Sequence, residues 1–328
     1  MEFGVQINGK DFKELRDLAQ AADQLGYDAL LLPDHIVYEQ MGGVYDPHTL
    51  SWDQMIALAL VFEATKKIRA GHLVLCNLFR HPVMTAQSLV TLDHLSGGRL
   101  IAGLGSGWTE TEFKMTGIPF PPIGARLRRL DEALAVIRAL WTQEQTTFDG
   151  EFYKLKDAIL WPKPVQKPHP PILVGGGGRG LLRIAGKHAA TINIIPEVGS
   201  VGHISIENVA KTTDAAFREK IKFVRSEAAR NGRKPESIQI STMVAVVMLT
   251  GSAAETESMA GMVAQGMGLK AEQMLSSPMA LIGTPEQCAK ELGRRVREWG
   301  VSQFIFAGEL DLKTLERLAK EVLPHVAK

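Results

Sequence analysis

The sequence contains little cysteine and no segment that could cross a membrane. Only two cysteines, Cys76 and Cys288, occur among its 328 residues, which excludes a disulfide framework and a CxxC metal or redox pair. No apolar run approaches the roughly 20 residues of a membrane-spanning helix. The first residues, MEFGVQINGKDFKEL, also lack the basic region and apolar core of a signal peptide. We therefore expect a cytoplasmic protein, without a membrane partner, whose cysteines are reduced and buried.

Excess charge and metal-binding motifs are missing as well. The formal net charge is +1, with 37 Lys and Arg against 36 Asp and Glu, so no electrostatic field favours nucleic acid. No HExxH motif occurs, and His72, His81 and His94 do not have the spacing of metal ligands. These absences predict no nucleic-acid partner and no metal site.

What the sequence does contain is a regular alternation of strand and helix patterns. Short buried strands are predicted at eight places, residues 3–7, 28–32, 70–76, 99–104, 172–174, 190–195, 238–249 and 303–306. Helices separate them, and such repeats are typical of an α/β fold, the parallel (β/α)8 TIM barrel. We therefore interpret residues 1–328 as a single TIM-barrel domain.

Two segments do not fit the repeat and are interpreted as insertions after strands four and seven. Residues about 143–171 combine a β-hairpin with a proline-rich connector, WPKPVQKPHPP. Residues about 251–282 form a helical insertion that is rich in methionine. These methionines fit either a lid or substrate wall at the site, or ordinary core packing. They are Met259, Met262, Met267, Met274 and Met279.

Glycine-rich loops follow the fourth and fifth predicted strands. The first loop contains Gly105, Ser106 and Gly107, and the second contains Gly175 to Gly178. Glycines just past a parallel strand let a ligand, often a phosphate, approach backbone N–H groups. A tight turn is the alternative interpretation of either loop.

The second loop also fits another kind of nucleotide site. Gly175, Gly177 and Gly180 match G-x-G-x-x-G, and Glu197 lies twenty positions beyond Gly177. This pattern predicts a Rossmann dinucleotide site as a competitor. That interpretation would place the four preceding strand and helix units in a separate domain, whereas a single barrel uses all of them.

Polar and aromatic residues follow strands two and four. Asp34 and His35 stand together after strand two, where a carboxylate can orient an imidazole for proton transfer. A hydrogen-bonded loop anchor is the alternative for this pair. After strand four, Glu110 and Glu112 fit either the acids of a site or the start of a solvated helix. Trp108 fits either a surface that stacks on a flat ring or a core residue.

In chain order, several stretches resemble the bacterial luciferase-like superfamily, and as a set they are specific. They run from residue 3 to about 195 and are FGVQI, GYDALLLPDHI, RHPVMTAQSLVTLDHLSGGRLIAGLGSGW, the helix pattern R-x-x-R-L-x-E-A-L, FDGEFYKL and PKPVQKPHPPILVGGGG. The resemblance implies a TIM barrel, usually a homodimer, that binds FMN or the deazaflavin coenzyme F420. It also implies a nonprolyl cis peptide at the third strand, around Gly71 to Leu73.

The resemblance further implies which residues form the site. The loops after strands four and five would hold the coenzyme phosphate, and Asp34 and His35 would lie beside the reacting ring. We accordingly assign catalytic roles to His35, Asp34 and Glu110. Contacts with the coenzyme are assigned to Gly71, His72, Gly105, Ser106, Gly107, Trp108, Gly176, Gly177 and Gly178.

The chain is most similar to the F420-dependent oxidoreductase branch, so the resemblance implies hydride transfer between F420 and a small organic substrate. A sugar-phosphate or secondary-alcohol dehydrogenase is disfavoured, because Trp108 stands where those enzymes have a glutamate. Two alternatives stay open. One is an FMN-dependent monooxygenase that takes reduced FMN from a separate coenzyme-reducing enzyme and activates O2. The other is a non-catalytic barrel that binds a flavin.

Overall fold

Eight parallel strands form a closed barrel at the centre of the structure, which is a computed structural model that describes residues 1–37, 51–196, 212–308 and 310–326. It also describes the backbone of two short paired strands, Glu39–Gln40 and Val44–Tyr45. The barrel strands are β1 (Glu2–Gln6), β2 (Ala29–Leu32), β3 (Arg69–His72), β4 (Leu100–Gly105), β5 (Ile172–Gly175), β6 (Thr191–Ile194), β7 (Gln239–Val244) and β8 (Gln303–Phe306). Each strand pairs with the next and β8 pairs with β1, so the predicted (β/α)8 barrel is confirmed.

Helices connect the barrel strands and occur within the insertions. They are α1 (Phe12–Gln24), α2 (Gln54–Ala64), α3 (Pro82–Leu95), α4 (Glu110–Thr116), α5 (Ile123–Thr142), α6 (Arg179–His188), α7 (Asp214–Arg230), α8 (Ala253–Gly266), α9 (Ala271–Leu275), α10 (Pro285–Trp299) and α11 (Leu312–Arg317). Local sequence fixes several of their ends. At α10, the Thr284 hydroxyl accepts from the Gln287 backbone N–H and the side-chain Oε1 of Gln287 accepts from the Thr284 N–H, which is a capping box.

The core has two apolar layers because successive strand residues point to opposite faces of the sheet. Leu30 and Leu32 of β2 pack outward with the helices in the main core. Ala29 and Leu31 of the same strand join a smaller cluster with residues of β4, β5 and β8. This inner cluster packs inside the barrel.

The strand predicted at residues 238–249 is wrong in its second half. β7 ends at Val244, and the N–H groups of Ala245 and Val246 both donate to the Met279 carbonyl, at 2.9 and 3.0 Å. The chain then forms a separate strand, Val246–Leu249, that pairs in parallel with Ala280–Gly283. A continuous apolar run carries no signal for the point where it leaves the barrel. The second insertion is therefore not purely helical, since the second strand of this pair begins within it at Ala280.

The third predicted strand, residues 70–76, is also divided. β3 is followed by a short strand, Leu75–Cys76, that pairs with the end of β4. Between them the Leu73–Val74 peptide is cis, at the edge of the interval expected from the family resemblance. The first insertion contains the predicted hairpin, with strands Thr146–Asp149 and Lys154–Ala158.

Both cysteines are free and buried, as predicted, and burial raises the pKa of each thiol to about 12. Among the helices in the described ranges, none combines the length and the hydropathy needed to span a membrane.

The fully buried guanidinium of Arg295 ties the second insertion to α10. It donates to the carbonyls of Pro278, Ser277 and Ala280 at 2.8, 3.1 and 2.8 Å. Its Nε donates to Glu291 at 2.8 Å. The segment that contains Met279 is therefore held by one side chain that has no contact with solvent.

We expect Arg295→Met to lower the free energy of unfolding by about 3–5 kcal/mol, because a buried ion pair is broken and three carbonyls lose a donor. The matched control is Arg294→Met. Its side chain is 27% exposed and pairs with the partly exposed carboxylates of Asp214, Glu291 and Glu298 without donating to any buried carbonyl, so its loss should cost less, about 1–2 kcal/mol. Urea denaturation of both variants measures the difference, and equal losses would contradict the assignment of Arg295 as the anchor.

Candidate active site

A cavity of about 600 Å³ opens among the loops that follow the carboxyl ends of the barrel strands. The loop after β2 contributes Asp34 and His35, the loop after β4 contributes residues 105–108, and the loop after β5 contributes residues 175–178. In TIM barrels this end of the strands carries the functional site. The cavity therefore lies where the sequence predicts a ligand.

Most of the predicted site residues line this cavity together. They are Asp34, His35, Gly105, Ser106, Gly107, Trp108, Gly176, Gly177 and Gly178. Gly71, His72 and Glu110 do not line it. The His72 ring is fully buried with its Nε2 3.1 Å from the Gln54 carbonyl of α2, and burial lowers its pKa. A Cβ on Gly71 would lie 2.0 Å from the Ile101 carbonyl oxygen. Because β3 and β4 approach so closely here, the position requires a glycine.

The glycine loop after β5 leaves backbone groups open to a ligand. Gly176 has φ of 145°, a conformation that side chains disfavour. A Cβ on Gly177 would lie 2.0 Å from the Ile195 carbonyl oxygen, whereas a Cβ on Gly178 would meet nothing within 4 Å. Gly178 is the N-cap of α6 and no side chain caps this helix. The first N–H groups of α6 therefore face an open, glycine-lined space that suits an anion.

This loop belongs to the barrel and not to a Rossmann unit. β5 pairs with β4 on one side and β6 on the other within the closed sheet. Glu197, the acid of the Rossmann interpretation, lies outside the described residues. From outside the loop, Lys220 of α7 donates to the Gly177 carbonyl. The G-x-G-x-x-G match is thus explained by a loop of the barrel rim.

Asp34 anchors its loop. Its Oδ2 accepts from the Cys76 N–H at 2.8 Å and from Arg80 Nη1 at 2.8 Å. The carboxylate is buried, so a cation and a backbone donor compensate its charge. These contacts fix the end of β2 against the short strand Leu75–Cys76, which matches the loop-anchor interpretation.

Glu112, and not Glu110, is the acid that reaches the cavity. Glu112 is buried, and its Oε1 accepts from the N–H groups of Ile36 and Val37. Its Oε2 lies 3.4 Å from Nδ1 of His35. By contrast, Glu110 is 44% exposed and forms an ion pair with Lys114 at 3.0 Å. Glu110, to which we assigned a catalytic role from the sequence, therefore lies at the surface. Glu112 is the glutamate that lies beside the imidazole of His35.

No sequence signal separates these two glutamates. Both stand in the first turn of α4, and the T-x-x-E spacing of Thr109 and Glu112 would instead suggest a capping box. Thr109 makes no such bond, and Glu112 turns toward the loop after β2. The indole of Trp108 completes this wall, with its ring 5.5 Å from that of His35 in an edge-to-face arrangement.

Arg126 and Asn193 also line the cavity and were not predicted. Nη1 of Arg126 donates to the Gly107 carbonyl at 2.7 Å, and Nδ2 of Asn193 donates to the Ser241 hydroxyl at 2.9 Å. Both side chains are buried. Arg126 begins the R-x-x-R-L pattern, so a signal existed, but an arginine in a first helical turn is ordinarily a surface residue.

The methionines of the second insertion divide between two uses. Met259, Met267 and Met274 pack in the insertion's own apolar cluster, as ordinary core residues. Met262 is exposed. Of these five methionines, Met279 lines the cavity. Within those ranges, no group of three or more His, Cys, Asp or Glu is arranged to hold a metal ion.

Comparison with known proteins gives this geometry a context. The family model described as "Luciferase-like monooxygenase" matches residues 2–303. An F420-dependent glucose-6-phosphate dehydrogenase of Microbacterium testaceum is 33% identical over 192 residues, 58% of this chain and 55% of that protein. The match thus spans about half the length of the curated relatives.

Solved structures share the whole fold at low identity. A coenzyme F420-dependent tetrahydromethanopterin reductase from Methanopyrus kandleri has a TM-score of 0.78 at 20% identity, covering 99% of both chains. An EDTA monooxygenase from Chelativorans sp. has a TM-score of 0.82 at 16% identity, covering 99% of this chain and 93% of that one. At such identities the likeness establishes the fold alone.

Gly177 and Gly178 provide a test of the shape of the glycine loop after β5. We expect Gly177→Ala to lower the free energy of unfolding by about 1–3 kcal/mol, because its Cβ would overlap the Ile195 carbonyl oxygen. Gly178→Ala has an ordinary φ of −78° and open space, so it should cost less than about 1 kcal/mol. Chemical denaturation measures both. Equal destabilisation would show that the loop is not shaped as described.

Proposed function

We propose, because this chain belongs to the luciferase-like monooxygenase family, that it is an F420-dependent oxidoreductase which transfers hydride between the deazaflavin and a small organic substrate. The observation that carries the proposal is a single cavity that combines a glycine-lined loop suited to an anion with a buried carboxylate beside the half-buried imidazole of His35. The curated relatives named as F420-dependent dehydrogenases support F420 as the coenzyme. The homodimer, the cytoplasmic location and a separate coenzyme-reducing enzyme remain predictions.

The lining of the cavity fits a flat ring that carries a phosphate on a flexible chain. Open space at Gly178 and the uncapped start of α6 suit the phosphate, with Ser106 and Gly107 on the neighbouring loop. Leu73 and Val74 offer an apolar surface to a ring. The buried Oδ1 of Asn193 has no hydrogen-bond partner among the described residues, which a bound ligand would provide.

When bound, the deazaflavin supplies the two-electron hydride chemistry. The chain's own residues would position the substrate and move a proton. Glu112 lies beside the His35 ring at the cavity wall, with Oε2 3.4 Å from Nδ1, and we propose that His35 donates or accepts the proton on the substrate heteroatom while the adjacent carbon exchanges hydride. Trp108 packs against His35 at this wall and narrows the cavity there, which helps to exclude water.

The proposed coenzyme is tested by anaerobic titration of the protein with F420 and with FMN, followed by tryptophan quenching and coenzyme fluorescence. We expect tighter binding of F420, because the family branch that this sequence resembles uses it. Preference for FMN, together with substrate-dependent oxygen consumption with reduced FMN, would identify a monooxygenase instead. A tightly held coenzyme with no turnover across a substrate panel would indicate a non-catalytic barrel.

The proposed roles of His35 and Glu112 are tested by turnover with reduced F420 and a substrate found by screening unsaturated and carbonyl compounds. We expect His35→Asn to lower turnover by about 10²-fold, with near-normal coenzyme affinity. Glu112→Gln should lower turnover about tenfold or more and leave the KM nearly unchanged, because the ring loses its anionic partner.

Glu110→Gln is the matched control, since it removes the same charge from the same helical turn at the surface. We expect it to retain the activity of the unaltered protein. If both glutamine variants behave alike, Glu112 has no special part in the reaction.

A further inference from the structure

One side of the cavity is apolar and is not used by the proposed mechanism. It is formed by Met243 and Ala245 at the end of β7, by Met279 of the second insertion and by Ala307 after β8. We call these four residues the apolar wall. None of them is charged, and a thioether is only a weak hydrogen-bond acceptor. A ligand in contact with this wall is therefore bound there by apolar burial.

The backbone around the apolar wall holds it in place. The Ala245 N–H donates to the Met279 carbonyl at 2.9 Å, which brings the insertion to the rim of the barrel. Arg295 donates to the two carbonyls that flank Met279 in the chain. On the other side, a Cβ on Gly308 would lie 2.4 Å from the Ala245 carbonyl oxygen, so the loop after β8 packs directly against this segment. The wall is thus formed before a ligand binds.

Barrel closure places the apolar wall opposite the surface that we propose for the coenzyme ring. The eight strands pair in chain order, so β7 lies across the barrel from β3. Leu73 and Val74, which follow β3, therefore lie across the cavity from Met243. A ring that lies on Leu73 and Val74 would turn its other face toward the apolar wall. A substrate must contact that free face to exchange hydride.

The charges of the cavity do not suit an anionic substrate at this place. Among the described residues that line the cavity, Arg126 is the only lysine or arginine. Its Nη1 donates to the Gly107 carbonyl of the loop after β4, which lies across the barrel from β8. Near His35 the substrate would meet the carboxylate of Glu112 instead. An anionic group would thus lie beside a like charge at His35, or unpaired against the apolar wall.

We propose that the substrate is an uncharged molecule with an apolar body of several carbons, selected by Met279 and Met243 of the apolar wall. This rests on the proposed function, because the substrate is placed against a ring bound in this cavity. The substrate class differs from the glucose 6-phosphate named for the curated relatives. Methionine suits such a wall, since its unbranched side chain adapts to apolar groups of different shapes.

The test is ligand binding to the protein loaded with oxidised F420 or FMN, whichever binds, measured by isothermal titration calorimetry. The oxidised coenzyme cannot reduce a ketone, so binding is measured without turnover. The probes are methyl ketones from 2-butanone to 2-heptanone, and each added methylene should lower the Kd about three- to fourfold. Glucose 6-phosphate should bind at least about tenfold more weakly than 2-heptanone. The same holds for 6-oxoheptanoate, in which a carboxylate replaces the terminal methyl group of 2-heptanone.

Substitutions of methionine test the apolar wall itself. We expect Met279→Gln, which is polar at similar length, to raise the Kd of 2-heptanone about tenfold. Met279→Leu keeps an apolar side chain of similar volume and should stay within about threefold. Met243→Gln is the second variant if Met279→Gln folds poorly. Met259→Gln is the matched control, because Met259 packs in the insertion's own cluster and does not line the cavity, so the Kd should not change.

Methyl-13C labelling of the methionines gives a second readout, which locates the ligand. Addition of 2-heptanone to the coenzyme-loaded protein should shift the methyl resonances of Met279 and Met243. The resonances of Met259 and Met262, which do not line the cavity, should stay in place. Leucine variants assign each resonance.

The outcomes separate this proposal from the proposed function. Binding of glucose 6-phosphate or 6-oxoheptanoate as tight as that of 2-heptanone would overturn the proposal, and so would a ketone series without binding. A Kd and a Met279 resonance that do not respond as expected would overturn the assignment of the apolar wall. Preference for FMN would overturn F420 dependence only, because the ketones are then titrated into FMN-loaded protein. If neither coenzyme binds, the proposed function fails, and the coenzyme-free protein decides on the wall by the same shifts.

Discussion

The pairing of β8 with β1 is the constraint on which the rest of the structure depends. Because all eight strands are parallel and the sheet is closed, the carboxyl ends of β2, β4 and β5 must meet at one rim. Residues that are far apart in the sequence, such as His35, Glu112 and Gly178, therefore line one cavity. The inner apolar cluster packs inside the barrel, and the ends of several strands also contribute to the cavity lining.

Two buried carboxylates at this rim differ in use because their partners differ. Asp34 is bound by the Arg80 guanidinium and a backbone N–H, which fixes it as part of the framework. Glu112 is bound by two backbone N–H groups and approaches an imidazole, which can exchange a proton. A buried carboxylate thus anchors the framework at Asp34, whereas the carboxylate of Glu112 lies beside the imidazole to which we assign the proton transfer.

The sequence predicts the barrel well because each strand has its own pattern, and the strand at residues 303–306 is found where it was expected. Hydrophobic periodicity shows that a residue is buried but not which strand it pairs with. It therefore could not show that the run ending at Leu249 leaves the barrel after Val244. The same limit applies at the site. Glycine loops are visible from composition, whereas the choice of Glu112 over Glu110 and the burial of Arg126 depend on contacts between distant segments.

The charged and hydrogen-bonding groups of the cavity lie at separate places around it, which favours one orientation of an anionic ligand. Arg126 and the start of α6 provide positive charge and N–H donors beside the loops after β4 and β5. Glu112 lies by the loop after β2, where its carboxylate would repel a phosphate. A phosphate-bearing coenzyme in this cavity would place its phosphate near α6 and its ring toward His35, where the proposed proton transfer would take place.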